Sequence, residues 1–385
     1  DTKSSRLILC LSSSSSKSLV MKPAYLTLAG LSAASAAIPQ PWLYNTTSNK
    51  WQSTDDWAVG ANFVPSTAVN QLEMWQIDTW DEATIDRELG YAAGLGMNAM
   101  RVFLHNLMWT QDSDFFLHTT DKFLDIAQKH DIGILFVFFD SCWTAYPELG
   151  PQPEPTPYVH NSQWVQSPGT DIVHDTEQFL KLEPYVTGVL SHYKDDSRVI
   201  GWDLWNEPDN SGYMPDLIAP LLSSVFNWAR EVGPSQPLTS CLWQVGPWGD
   251  YDLLSSLEKV CISESDVISF HNYGDLDSMN GISRRVESLR GYDKPLMCSE
   301  YMAREQNSTF NPIMGYLKDQ HISAFNWGVV SGRTQTIYPW SSSETPNPYE
   351  GVDDPDPWFH DIFRSDGTPR YEEEAEYIKS LTNAL

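Results

Sequence analysis

Positive charge is scarce in this chain: 24 Lys and Arg stand against 51 Asp and Glu, a net charge of −27 over 385 residues. That balance excludes nucleic acid and anionic membranes as partners, because gripping phosphates needs clustered Lys and Arg. Such acidity suits an extracellular protein and says nothing about fold. Cysteine is sparse too, at five, and the spacing of Cys142, Cys241, Cys261 and Cys298 matches no zinc or CxxC pattern. Cys298 reads as a packed thiol, and a Cys241–Cys261 bridge is the one disulfide left open. No HxH or HExxH spacing occurs, which argues against a metal-dependent hydrolase built on His105, Asp140, His271 and a Glu. No glycine-rich phosphate turn follows the first strand-like run, where the chain reads "ANFVPSTAVN", so an open doubly wound sheet is disfavoured. No internal repeat is visible. Beyond the N-terminal region, no run is apolar enough to cross a bilayer.

That N-terminal region reads as a targeting segment. The first Met is Met21, and "MKPAYLTLAGLSAASAAIPQP" carries one Lys, a short apolar run, and the small residues Ser35 and Ala37. These are the parts of a secretory signal peptide spanning about 21–37. Residues 1–20, with "SSSSS" inside, read as upstream sequence or a disordered tail. The fold reading therefore uses 38–385, taken as a single domain. Asn45 in "NTT" and Asn307 in "NST" are glycosylation sequons, which agree with a secreted, extracellular glycoprotein. The chain is expected to be a monomer.

What is present is alternation. Eight strand-like runs fall at 57–64, 97–104, 133–140, 199–207, 237–243, 266–273, 294–301 and 323–330. Helical patterns lie between most of them, and "YEEEAEYIKSLTNAL" closes the chain. The short "YDLLSSLEK" after the fifth run is the weakest of these. Eight strands with helices between them, in one pass, predict an α/β fold: a (β/α)8 TIM barrel. Two long Pro-rich stretches, 141–171 and 331–370, follow strands three and eight. Loops of that length inside a compact domain are usually functional. Their position suits walling off one end of a cleft, which favours exo action or short oligosaccharides.

The chemistry is expected where strands end. Strand four finishes in "WDLWNEPDN", where Pro208 stops the ladder directly after Asn206 and Glu207. Strand seven finishes in "LMCSEY", with Glu300. A barrel keeps its chemistry at the C-terminal ends of its strands, so the two carboxylates should face each other across the mouth. Two carboxylates flanking one bond are what glycoside cleavage requires.

"WNEP" on strand four, with a Glu ending strand seven, resembles clan A of the glycoside hydrolases, most closely family 5 and its cellulase/mannanase-type barrels. The resemblance implies that Glu207 is the acid/base, Glu300 the nucleophile and Asn206 the donor to the sugar 2-hydroxyl. It further implies that Arg101 in "AMRVFL" braces the nucleophile and that Tyr273 in "FHNY" donates to it. His271 would touch Glu207 or the leaving sugar, and Trp327 in "FNWG" would underlie the −1 sugar. Where the family usually carries a His, strand three ends in "FFDSCW", and His105 follows strand two instead. Asp140 and His105 are therefore further candidates for sugar binding, and the sugar cannot be copied from cellulases.

Sixteen Trp is a high count. Trp75, Trp109, Trp143, Trp164, Trp205, Trp243 and Trp340 all fall near the predicted mouth, with Trp143 and Trp327 the favoured platforms. Glu73 is a weaker candidate for sugar hydroxyls. The expected activity is retaining hydrolysis of β-linked glycans such as β-mannan or β-glucan, with no metal or cofactor. The alternatives are a catalytically silent sugar-binding barrel and a transglycosylase on the same scaffold.

Overall fold

A computed structural model describes residues 57–383; the segment read as a signal peptide, and Asn45, lie outside it. Its strands are β1 (Val59–Asn62), β2 (Ala99–Phe103), β3 (Gly133–Asp140), β4 (Val199–Asn206), β5 (Leu238–Thr239), β6 (Ile268–His271), β7 (Leu296–Tyr301) and β8 (Ser323–Trp327). They lie side by side in the order β5-β4-β3-β2-β1-β8-β7-β6, and every pair is parallel. The remaining gap, between β5 and β6, is bridged just past β5. There the Leu242 N–H donates to the Ser269 carbonyl at 3.0 Å, and the His271 N–H donates to the Leu242 carbonyl at 2.9 Å. The principal helices are α1 (Glu82–Ala93), α2 (Ser113–Lys129), α3 (Glu183–Tyr193), α4 (Pro215–Val232), α5 (Ser256–Glu264), α6 (Ile282–Leu289), α7 (Phe310–Asp319) and α8 (Glu372–Thr382). One follows each strand, so the fold is the (β/α)8 barrel. Among the described residues no helix is long and apolar enough to cross a membrane.

The strands are apolar throughout because a parallel barrel buries both of their faces. In β3 every residue after Gly133 is buried. Outward-facing side chains meet the helices in the main core, where Trp202 stacks on Phe136 at 5.8 Å and Tyr193 of α3 packs beside it. Inside the barrel, Ala58, Ala99, Leu135, Ile200, Val267, Met297 and Phe325 plug the floor. Helix ends carry local signals. Ser255 and Glu258 form a capping box at α5, and Gly233 ends α4 at φ 66°, a left-handed position that glycine takes without strain.

Two strands are shorter than their sequence runs. In β5 the ladder stops after Thr239, because the Ser240 N–H turns to the Ser265 hydroxyl. In β8 the ladder stops at Trp327, where Gly328 at φ 81° swings the chain outward. The proposed Cys241–Cys261 bridge is absent: Cys142, Cys241, Cys261 and Cys298 are all buried free thiols. Cys241 instead takes the Glu207 N–H on its sulfur at 3.1 Å. Asn307 is exposed in a turn after β7.

Candidate active site

The site is organised by one buried guanidinium. Arg101, on β2, is wholly buried inside the barrel. Its Nε and Nη2 donate to Asp203 Oδ2 at 3.0 and 2.8 Å, and Nη2 also donates to Asn206 Oδ1 at 2.6 Å. Its Nη1 donates to Asn62 Oδ1 at 2.7 Å and to Glu300 Oε1 at 2.8 Å. Three other strands, β1, β4 and β7, are thus tied to one side chain of β2. Burial alone would disfavour its charge, but Asp203 and Glu300 more than offset that and hold Arg101 firmly protonated.

Glu300 receives a second donor, the Tyr273 hydroxyl, at 2.6 Å on Oε2. Strict alternation along β7 would send Glu300 to the same outward face as Cys298, which sits in the outer core. A register shift between Cys298 and Tyr301, matched by one between Phe270 and His271, turns Glu300 inward instead. Glu207 is aimed differently. It has φ 43°, a left-handed conformation costly for a glutamate and common at functional sites.

The two glutamates occupy unlike surroundings. Around Glu207, the Asn210 amide donates to Oε2 at 2.5 Å and the Cys142 thiol reaches the same oxygen at 3.3 Å. His271 Nδ1 lies 2.7 Å from Glu207 Oε1 and 3.4 Å from Glu300 Oε2, bridging the pair. Burial lifts Glu207 from the ordinary 4.5 to about 7, against the pull of Asn210, Cys142 and the more distant Arg101. Burial also raises Glu300, but the touching guanidinium of Arg101 and the Tyr273 hydroxyl oppose it. Glu207, which keeps its proton up to about pH 7, is thus placed as the acid, and the ion pair with Arg101 places Glu300 as the charged partner. His271 is pushed down to about 4, chiefly by burial, and is neutral. One oxygen from each carboxylate and a His271 nitrogen lie within 4.8 Å of one another. That spacing could serve a metal ion. Arg101 already supplies positive charge to Glu300 Oε1, Tyr273 donates to Glu300 Oε2, the oxygen nearest His271, and Asn210 donates to Glu207 Oε2.

A cavity of about 600 Å³ opens above this cluster. Glu207, Glu300, Asn206, Tyr273 and Trp327 line it, together with Trp143, which is 47% exposed at the rim. Trp327 is braced edge-on by Phe103 at 5.8 Å and Trp164 at 5.8 Å, so one ring face is left for a ligand. Arg101 lies beneath the cavity, and His271 lines a second cavity of about 280 Å³ on the other side of Glu207. Trp164, Trp243 and Trp340 also face the larger cavity.

Other expected residues are placed elsewhere. His105 is fully buried: its Nδ1 accepts the Leu107 N–H at 3.1 Å and its Nε2 donates to the Gln166 carbonyl at 3.0 Å. With both nitrogens spent on backbone, it caps the short helix Asn106–Gln111 and does not reach the cavity. Asp140 also stays off the wall. Its oxygens accept from Asn206 Nδ2 at 3.0 Å, Trp164 Nε1 at 2.6 Å, the Cys142 N–H at 2.9 Å and Gln71 Nε2 at 3.2 Å. It orients Asn206 and Trp164 instead of meeting sugar directly. Trp75 and Trp205 are core residues, and Trp109 packs against Gly188 and Tyr185. Glu73 is held by Arg333 at 3.1 Å.

Sequence reading did not single out Asn62, Asp203, Cys142 or Asn210. Asp203 carried a usable signal, a charge inside an otherwise apolar strand that must find a partner. Asn210 stood three residues after Glu207 in the quoted motif. Asn62 and Cys142 carried none.

This geometry has relatives. The family model Cellulase (glycosyl hydrolase family 5) matches residues 93–332. No curated protein sequence matches the chain. Among solved structures, a β-1,4-mannanase from the sea hare Aplysia kurodai superposes with a TM-score of 0.53 at 15% identity, covering 77% of this chain and 91% of that one. An endo-1,4-β-mannanase from Rhizomucor miehei gives 0.52 at 16%, covering 83% and 95%. An exo-β-1,4-mannosidase from Opitutaceae bacterium strain TAV5 gives 0.55 at 17%, covering 86% and 60%. At these identities the solved structures share the fold. With the family model spanning well over half of its residues, the chain belongs to glycosyl hydrolase family 5 and is a glycosidase.

Proposed function

We propose that the protein is a secreted, retaining β-glycosidase that cleaves a β-linked cell-wall glycan, such as a β-mannan or β-glucan, by double displacement. The observation that carries this reading is the spacing of the paired carboxylates, with an oxygen of each within 4.8 Å of the other. Retaining enzymes hold their carboxyl groups about 5–5.5 Å apart, whereas inverting ones need about 6.5–9.5 Å to admit a water. The sugar ring lies on Trp327 with its 2-hydroxyl toward Asn206. The Asn206 amide is oriented by Asp140 at 3.0 Å, and its second hydrogen is spent only on a long contact to the Cys142 sulfur at 3.9 Å that a sugar hydroxyl can displace. Protonated Glu207 gives its proton to the glycosidic oxygen as Glu300 attacks the anomeric carbon. The leaving group departs with that proton, and a glycosyl ester forms on Glu300. Glu207, now ionised, takes a proton from water, which opens the ester with the β configuration kept. The mannanase and mannosidase neighbours favour β-mannosides as the first substrates to try.

The test is a panel of aryl β-glycosides and wall polysaccharides with the first-released anomer followed by proton NMR. We expect β product; α product on first release sinks the retaining mechanism. Glu207→Ala should slow turnover by about 10²–10⁴-fold and be rescued by azide on substrates with good leaving groups. A 2-fluoro sugar should label Glu300 in the unmutated enzyme, and a label on any other carboxylate removes its assignment.

A further inference from the structure

Two cavities meet at Glu207, and they differ in what else they touch. Both are walled by Glu207, Trp243, Tyr273 and Trp340. Glu300 and Trp327 face only the larger, whereas His271, Asn272, Asn280 and Arg285 face only the smaller. If Glu207 protonates the oxygen being cleaved, that oxygen sits where the cavities join. The sugar attacked by Glu300 then fills the larger cavity, and the leaving group fills the smaller.

The far side of the larger cavity is a wall made by two loops that bond to each other. From the loop after β3, Val159, His160, Asn161 and Ser162 face the cavity; from the loop after β8 come Trp340, Ser343 and His360. Two of the residues that line it, His160 and Asn161, also join the loops. The Asn161 N–H donates to the Thr334 carbonyl at 2.8 Å, and the His160 N–H donates to the Ser342 hydroxyl at 2.9 Å. Gln335 closes the seam from the other side. Its Oε1 accepts the Tyr158 N–H at 2.9 Å and its Nε2 donates to the Thr156 carbonyl at 2.7 Å. Behind the seam Ile337, Tyr338 and Trp358 form a small apolar core of their own, with Tyr158 and Tyr349 packed on it. A glycan chain crossing this side would have to break that core as well as the bonds.

Two imidazoles stand in the wall. His160 Nδ1 donates to the Tyr338 carbonyl at 2.8 Å, and His360 Nδ1 donates to the Met302 carbonyl. The rings lie 5.2 Å apart, one from each loop. With Nδ1 carrying the hydrogen in a neutral ring, Nε2 is an acceptor, and it has no hydrogen-bond partner among the described residues. Such acceptors suit the hydroxyls at the end of a sugar chain.

Resting on the retaining-glycosidase reading, we infer that this enzyme is exo-acting. It takes the non-reducing end of a β-glycan into a blind glycone cavity, where His160 and His360 accept hydrogen bonds from the terminal hydroxyls. The rest of the chain leaves past Trp243, Trp340 and Arg285.

The experiment uses the aryl monoglycoside panel first, then a hexaose of whichever sugar is hydrolysed fastest, labelled at its reducing end. We expect measurable aryl monoglycoside hydrolysis and labelled products that shorten one step at a time from the hexaose. We also expect His160→Ala to lower kcat/KM by about tenfold, the loss of one hydroxyl hydrogen bond, without moving the pH profile. Labelled dimers and trimers among the earliest products would overturn the inference. So would hydrolysis of polysaccharide with no turnover of any aryl monoglycoside, and both results leave the glycosidase reading standing. No turnover of any substrate would sink that reading itself. An unchanged kcat/KM in His160→Ala would remove the histidine from recognition.

Discussion

Replacing Glu207 by Gln should make the protein's stability less sensitive to alkali. The glutamate is raised from 4.5 to about 7 by burial, so the folded state holds a proton that the unfolded chain releases. Between those two values the native state binds more protons, and stability therefore falls as pH rises. The group's contribution is fully present below about pH 4.5 and is lost as pH climbs through 7. The rise from 4.5 to about 7, at about 1.4 kcal/mol per tenfold change in proton affinity, corresponds to about 3 kcal/mol. Gln matches Glu in shape and cannot ionise. Its carbonyl can accept from Asn210 and its amide can donate to His271. Asp140, also raised to about 7 by burial and further by the Glu207 charge, titrates in both proteins but is relieved of that charge in Glu207→Gln, so the difference reports the coupled pair. Urea unfolding of both proteins at pH 4, 6 and 8 gives the comparison. The stability of wild type relative to Glu207→Gln should drop by about 3 kcal/mol from pH 4 to pH 8. A difference that stays flat, or that grows in favour of wild type, would mean that Glu207 is already ionised at neutral pH. It could not then be the proton donor.

The same protonation states predict a bell-shaped pH dependence of kcat/KM, falling on the alkaline side near pH 7 as Glu207 ionises and on the acid side as Glu300 is protonated; an alkaline limb that survives in Glu207→Gln would have another origin. Asn210 donates to Glu207 and holds its pKa down, so Asn210→Ala should move the alkaline limb to higher pH by about one unit, read from the profile. A shift to lower pH would contradict the contact. In Tyr273→Phe, Glu300 loses a donor to its charged form, and the acid limb should rise; no movement would show that the hydroxyl does not bear on the charge. Arg101→Lys keeps the charge but cannot reach Asn62, Asp203, Asn206 and Glu300 together, and kcat should fall by about 10²-fold. Near-normal kcat there would show that charge alone suffices.

Much of the barrel was legible because each strand is a short, apolar run set between helical patterns, and the two glutamates stood where such runs stop. The shortfalls have local causes. β5 was overread because Cys241 and Leu242 continue an apolar pattern after the backbone has turned to the Ser265 hydroxyl. Period-two alternation gave no reason for Glu300 to face inward, since that depends on register shifts against β6 and β8 that no single strand encodes. His105 and Asp140 are polar residues at strand ends, the same pattern that marks a ligand contact. Only the partners reveal that a helix cap and an amide-orienting carboxylate are what they became. His160 and His360 lie 200 residues apart in loops without periodicity, and their meeting is set by the packing of one loop on the other.

The Arg101 hub has a consequence for how this chain could be divided. Asn62, Arg101, Asp203 and Asn206 all precede β5, while Glu300 and Tyr273 follow it. A fragment ending after β4 would keep a cation and Asp203 but lose the carboxylate that completes the cluster, and the other fragment would hold that carboxylate with nothing to neutralise it. Neither piece contains a working centre, so halves of this barrel should acquire catalysis only on reassembly. Restored turnover would then report ring closure.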